Sequence, residues 1–149
     1  MNNKFYIAVV MNLFSRMIIG YAVSCRIDNN IIINAFKTAY ENRDAPEGVT
    51  FHSDQGSNYT SHQYQDLLTT LKIEQSFSKR GTTYDNSVIE AFFTNMKQGY
   101  LNNRTFTFLD DLKLAVYDYI KYYNEKSPHE SLGFKTPLAF ENDYKKTNA

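Results

Sequence analysis

Two carboxylates stand in settings that suit shared chemistry. Asp54 follows a short apolar run, Val49 to Phe51, that reads as the end of a strand. Glu90 sits inside SVIEAFFTNMK, a run with helical periodicity. The 35 residues between them hold one helix pattern, one strand pattern and a loop containing Gly81, chain enough to leave a point and return to it. Carboxylates brought together from a strand end and a helix suit a hard cation such as Mg²⁺ or Mn²⁺, which takes one or two carboxylates plus waters and substrate phosphates. Two such ions about 3.5–4 Å apart stabilise both the attacking and the leaving oxygen of an in-line phosphoryl displacement. In a chain with 16 acidic residues, however, spacing alone says little. Asp54 also suits an Asx-turn with Gly56, and Glu90 a solvated helix surface. His52 alternates with Asp54 as strand neighbours do, so the two could share a face, although a structural histidine is the commoner outcome.

Basic residues lie nearby in sequence. Four and seven residues are about one and two helical turns, which puts Asn86, Glu90 and Lys97 close together on one helix surface. Lys97 would hold a phosphate as a point charge. Lys79 and Arg80, in the Gly81 loop, would position a nucleic-acid backbone without reading sequence. An exposed helix lysine and a solvated loop account for these three equally well. Charge is balanced, with 16 basic and 16 acidic residues. A general nucleic-acid binder shows a basic excess, so this chain does without such binding, uses a local patch or relies on a further domain. The 12 Tyr and 11 Phe can pack a core or stack on bases. A single cysteine, Cys25, excludes an internal disulfide and fits a reducing cytoplasm. No signal-peptide pattern and no membrane-length apolar run occurs. A G-x-S-x-G elbow, a Walker-type loop and a second cysteine for zinc are all missing.

The elements that must position these groups follow from periodicity. At 149 residues the chain suits one domain, over residues 1–144, with a polar, frayed tail at 145–149. Residues 4–11 and 17–25 read as strands joined by a short link, which favours an antiparallel hairpin. Gly20 marks a bulge or a close backbone approach. A helix follows over 30–42, capped by Asp28 or Asn29, with Ile31, Ile32, Ala35, Phe36 and Ala39 on its apolar face. Then come a strand at 49–52, a helix at 62–71 and a strand at 73–77. The helix bearing Glu90 runs from Asp85 or Asn86 to about Leu101, with Val88, Ile89, Phe92, Phe93 and Met96 inward. A long helix over 108–125, capped by Thr107, packs Leu109, Leu112, Val116, Tyr119, Ile120 and Tyr123. A short helix starts near Pro137.

Three stretches, HSDQGSNYTS, GTTYDNSVIEAFFTNMK and YYNEKSPHESLGFKTPLAF, resemble in order the integrase catalytic core of bacterial insertion-sequence transposases. Those cores are similar to retroviral integrases and share a ribonuclease H-like α/β fold, a mixed sheet flanked by helices. The resemblance runs from about Tyr6 to Phe140. It implies that Asp54 and Glu90 are the second and third members of a three-carboxylate catalytic and metal site. It also implies that Lys97 touches the DNA end, that the loop of Lys79 and Arg80 lies close to DNA, and that Mg²⁺ or Mn²⁺ serves the complete enzyme. Insertion-sequence ends and target DNA become the expected partners, together with self-association or pairing with intact transposase. His129 reads as structural or DNA-proximal. Where relatives usually carry arginine this chain has Ser127, so one basic contact is missing.

One departure bears on activity. In that family the first catalytic aspartate lies on a strand upstream of the segment resembling YIAVVMNLFSRMIIGYAVS. Here that segment starts almost at Met1, and the first aspartate in the sequence is Asp28. Asn12 stands where many relatives have Asp, outside the metal triad. The resemblance makes the missing strand central, between the counterpart of residues 4–11 and the strand leading to Asp54. The expectation is therefore a core with two unpaired facing edges, inactive alone as a polynucleotidyl transferase. The rival reading is a non-catalytic fragment that pairs with intact transposase or has no role. A ribonuclease H-like enzyme on RNA–DNA hybrids would share the fold but not the tail motifs.

Overall fold

The computed structural model describes residues 5–26, 29–43, 50–53, 62–77, 87–102 and 104–147. Its elements follow the expected order. Strand β1 (Tyr6–Met11) and β2 (Ile18–Ser24) lead to α1 (Asn29–Asn42), then β3 (Thr50–Ser53), α2 (His62–Thr70) and β4 (Glu74–Phe77). Helix α3 (Ser87–Thr94) continues into a π-helical segment (Asn95–Leu101), followed by α4 (Leu109–Lys126), a 3₁₀ turn (Glu130–Leu132) and α5 (Pro137–Thr147).

The strands form two separate two-stranded sheets, β1 with β2 antiparallel and β3 with β4 parallel. Both orientations of a mixed α/β sheet are thus present, divided between β1 and β3 as expected if a central strand is missing. The hairpin turn is built on Asn12, whose Oδ1 accepts from the backbone N–H of Phe14 (2.9 Å) and Ser15 (3.3 Å). Arg16 occupies the left-handed region at φ 64°, which lets the turn close back onto Asn12.

Alternation decides the two faces of the hairpin. Ala8, Val10 and Ala22 meet α1. Ile7, Val9, Tyr21 and Val23 meet the layer made by Phe92 and Met96 with Leu112, Val116, Tyr119, Ile120 and Tyr123 of α4. Gly20 serves both roles expected of it. The register slips at Val10/Met11, leaving Ile19 as the extra residue, and a Cβ on Gly20 would lie 2.5 Å from the Ala35 carbonyl oxygen and the Ala39 nitrogen. Only glycine lets α1 approach β2 this closely. A second cluster joins Ile31, Ile32, Ile33 and Phe36 of α1 to Tyr64 and Leu68 of α2 and to Ile73, with Tyr6 and Ala8 of β1 packed against it.

Three expectations need correction. The long helix is capped by Phe108 without a side-chain cap hydrogen bond, rather than by Thr107. The helix bearing Glu90 changes from α to π at Asn95. Helix α5 runs through Lys145 and Lys146 to Thr147, into the stretch expected to fray, where two lysines suit the negative end of the helix dipole.

Candidate functional site

Glu90 lies in the first turn of α3, where a carboxylate is favoured by the positive helix terminus. It is exposed, and among the described residues it takes part in no ion pair. Its helix is held from behind by Phe92, buried against Tyr123 with ring centroids 4.9 Å apart and against Tyr119 at 5.8 Å. Burial and the neighbouring Tyr119 push the Tyr123 hydroxyl up to about 12, so it stays neutral. The acid thus projects from a rigid support into solvent.

Lys97 is also exposed, and its Nζ lies 5.4 Å from the Phe93 ring centroid. The π segment changes its relation to Glu90. A π turn takes more residues than an α turn, so Lys97 lags the position that two regular α turns would give it. The two remain on one continuous rod, with no salt bridge between them. Further along, the Arg104 guanidinium stacks 4.3 Å from the Tyr100 centroid. Sequence reasoning missed this second cation, although its spacing of four from Tyr100 was legible.

Asp54, Lys79, Arg80, Asn86 and the loop around Gly81 lie outside the described residues. Chain order still constrains Asp54, because it directly follows Ser53, the last residue of β3. In open α/β sheets, ligands bind beyond the carboxyl ends of strands. Among the described residues no group of three metal-ligating side chains assembles.

The third motif takes a structural part. Asn124 is buried and grips the start of β2 twice, accepting from the Ile18 N–H (2.9 Å) and donating to the Ile18 carbonyl (3.0 Å). Glu141 of α5 is buried, accepts from the Ser15 hydroxyl at 2.6 Å and pairs with Arg43 just beyond α1. Burial works to raise the Glu141 pKa, but hydrogen bonds from Arg43 and Ser15 together hold it below the usual carboxylate value. His129 packs edge-on against Tyr123 at 4.9 Å, its Nε2 buried without a hydrogen-bond partner among the described residues. Burial, then the Arg16 charge, lower its pKa, which favours the neutral ring. None of these polar contacts was anticipated from the sequence.

With this geometry in view, comparison with known proteins decides the family. Two family profiles, each described as an integrase core domain, match residues 1–83 and 71–137. The chain belongs to the integrase core domain family. This integrase core is 34% identical over 137 residues to the transposase for insertion sequence element IS904 of Lactococcus lactis, covering 91% of the chain and 54% of that protein. It is 33% identical over 138 residues to transposase InsF for insertion sequence IS3A of Escherichia coli, covering 92% of the chain and 48% of that protein. It therefore spans about half the length of these relatives. Its fold is that of the retroviral integrase cores. The HTLV-2 integrase catalytic core, in complex with magnesium, superposes with a TM-score of 0.69 at 17% identity, over 91% of this chain and 84% of that one. The BIV integrase core gives 0.66 at 19%, over 98% and 91%. No helix among the described residues is long and apolar enough to cross a membrane.

Proposed function

We propose that this integrase core acts in DNA transposition, in metal-dependent cleavage and strand transfer at insertion-sequence ends, with Asp54 and Glu90 as ligands of Mg²⁺ or Mn²⁺. The observation that carries the reading is Glu90 itself. Glu141, just past the third matching stretch, is buried and tied to Ser15 and Arg43. Glu90 stands exposed on a well-supported helix with no ion pair among the described residues. A free carboxylate oxygen is a suitable donor for a hard cation, and Asp54 follows a strand end, where such a site would form.

When bound, the metal supplies stabilisation of charge at the transferring phosphate. This chain's own groups then hold and orient. Glu90 is fixed by the packing of Phe92, Lys97 offers its ammonium to a DNA phosphate, and Lys79 and Arg80 position the backbone. The relatives' names concern insertion sequences, which favours DNA as the polymer. A second reading, a non-catalytic partner of intact transposase, draws support from the division of the strands into two pairs.

Mn²⁺ titration followed by NMR line broadening tests the metal reading without requiring turnover. Broadening centred on Ser53 and Glu90 and lost in Glu90→Gln is the expected result. Diffuse broadening, or broadening that survives Glu90→Gln, would overturn it.

A further inference from the structure

Beyond Glu90, α3 and the π segment repeat one pattern. Phe93 and Lys97 stand four residues apart, and so do Tyr100 and Arg104. In each pair the cation lies over the ring, at 5.4 Å from the centroid for Lys97 and 4.3 Å for Arg104. Both rings are half-buried against the core, and both cations are exposed. The rings also share one support. Phe93 meets Phe92 at 5.6 Å, Phe92 meets Tyr119 at 5.8 Å, and Tyr119 meets Tyr100 at 5.2 Å. The two cations thus stand on one continuous aromatic layer.

Arg104 is held at both ends. Its backbone N–H donates to the Leu101 carbonyl at 3.1 Å, which ties it to the last turn of the π segment. Its guanidinium rests on Tyr100. A cation beside a helix C-terminus is favoured by the dipole, and that accounts for a charge at this place. It does not account for how the charge is presented. A guanidinium laid on a ring uses its flat face and keeps its N–H donors at the edge. Among the described residues that edge takes no hydrogen bond or ion pair, although Asp110 and Asp111 open the next helix. A preset, unpaired fork of donors matches the oxygens of a phosphate.

We propose that Arg104, set by Tyr100, is a second DNA-phosphate contact on the same rod as Lys97. A helix rises about 1.5 Å per residue, so the step from Lys97 to Arg104 spans roughly 10 Å. One strand of a duplex carries a charge about every 3.4 Å of axis, so the two cations meet phosphates about three steps apart. Arg104 binds and positions the backbone; it touches no reacting atom. The inference rests on the DNA reading above and adds a contact to it.

Binding of a short labelled duplex to the full chain, followed by fluorescence anisotropy in the presence of a chelator, tests it across about 50–200 mM salt. Each phosphate contact contributes about 0.9 to the slope of log K against log salt. Arg104→Ala should make the slope shallower by about that amount. Arg104→Lys should keep the slope yet bind several-fold more weakly, because an ammonium lacks the flat fork. Lys37→Ala, on α1 across the hairpin, controls for bulk charge and should leave the slope unchanged. An unchanged slope in Arg104→Ala would overturn the proposal, as would an equal drop in Lys37→Ala. So would wild-type affinity in Arg104→Lys, or no duplex binding at the lowest salt. With metal chelated, the Mn²⁺ result at Glu90 can fail while this one stands, and the reverse.

Discussion

The tail region and the acid helix make opposite use of their polar residues. Around α5, Glu141, Ser15 and Arg43 lock the hairpin turn and the end of α1 to the C-terminal helix, and Asn124 clamps β2 from α4. On α3 and the π segment the buried positions are apolar, Phe92 and Met96, while Glu90 and Lys97 face solvent. Both regions carry motifs that resemble integrase cores. One motif contributes Asn124 to holding the scaffold, and the other leaves Glu90 and Lys97 exposed, without an ion pair among the described residues. A polar residue in or beside a recognisable motif is therefore not by itself evidence of chemistry; its burial and partners decide.

The sharpest way to test that contrast is Glu141→Ala. It strands Arg43 and Ser15 and should lower stability by about 3 kcal/mol, the low end for breaking a buried pair, because Arg43 is partly exposed. Urea denaturation measures it. Gly20→Ala drives a Cβ into the α1 backbone and should destabilise by roughly 2–3 kcal/mol, in the overpacking range, seen as a lower thermal midpoint. Asn124→Ala leaves the Ile18 N–H and C=O unpaired in the core, an expected loss of about 2 kcal/mol, read from the same curves.

The lock also fixes a pH response. The folded Glu141 carboxyl lies below its ordinary 4.5, so its stabilisation is complete above that value and is lost as pH falls through the folded pKa. Folded His129 lies below its ordinary 6.5, so its contribution is complete above 6.5 and is likewise lost on acidification. Stability should thus decline below about pH 6, and Glu141→Ala should flatten the part of that decline in the carboxylate range. The smallest effect belongs to the other region. Glu90→Gln should leave stability within about 0.5 kcal/mol, as for a surface substitution. A large loss there would erase the contrast.

Element order was legible because the apolar spacing is regular. Ile31, Ile32, Ala35, Phe36 and Ala39 all lie buried on α1, and Tyr64 and Leu68 on α2, as their periodicity implies. The π segment was not legible, since an α template looks for neighbours three or four apart. In a π turn residues five apart align, which returns Leu101 to the cluster that holds Met96. The Ser15–Glu141 contact was hidden for another reason. It joins residues 126 positions apart, and no local pattern marks such a partner. Asp54 and the loop of Lys79 and Arg80 lie outside the described residues, and their roles remain part of the proposal.

The central claim, that Asp54 and Glu90 serve one metal site, is tested most directly by a crystal structure of the Mn²⁺-soaked protein with anomalous data. Ions in such sites lie about 4 Å apart, so both carboxylates should touch ions of one cluster. Carboxylates separated by more than roughly 10 Å, with no shared ion between them, would contradict it.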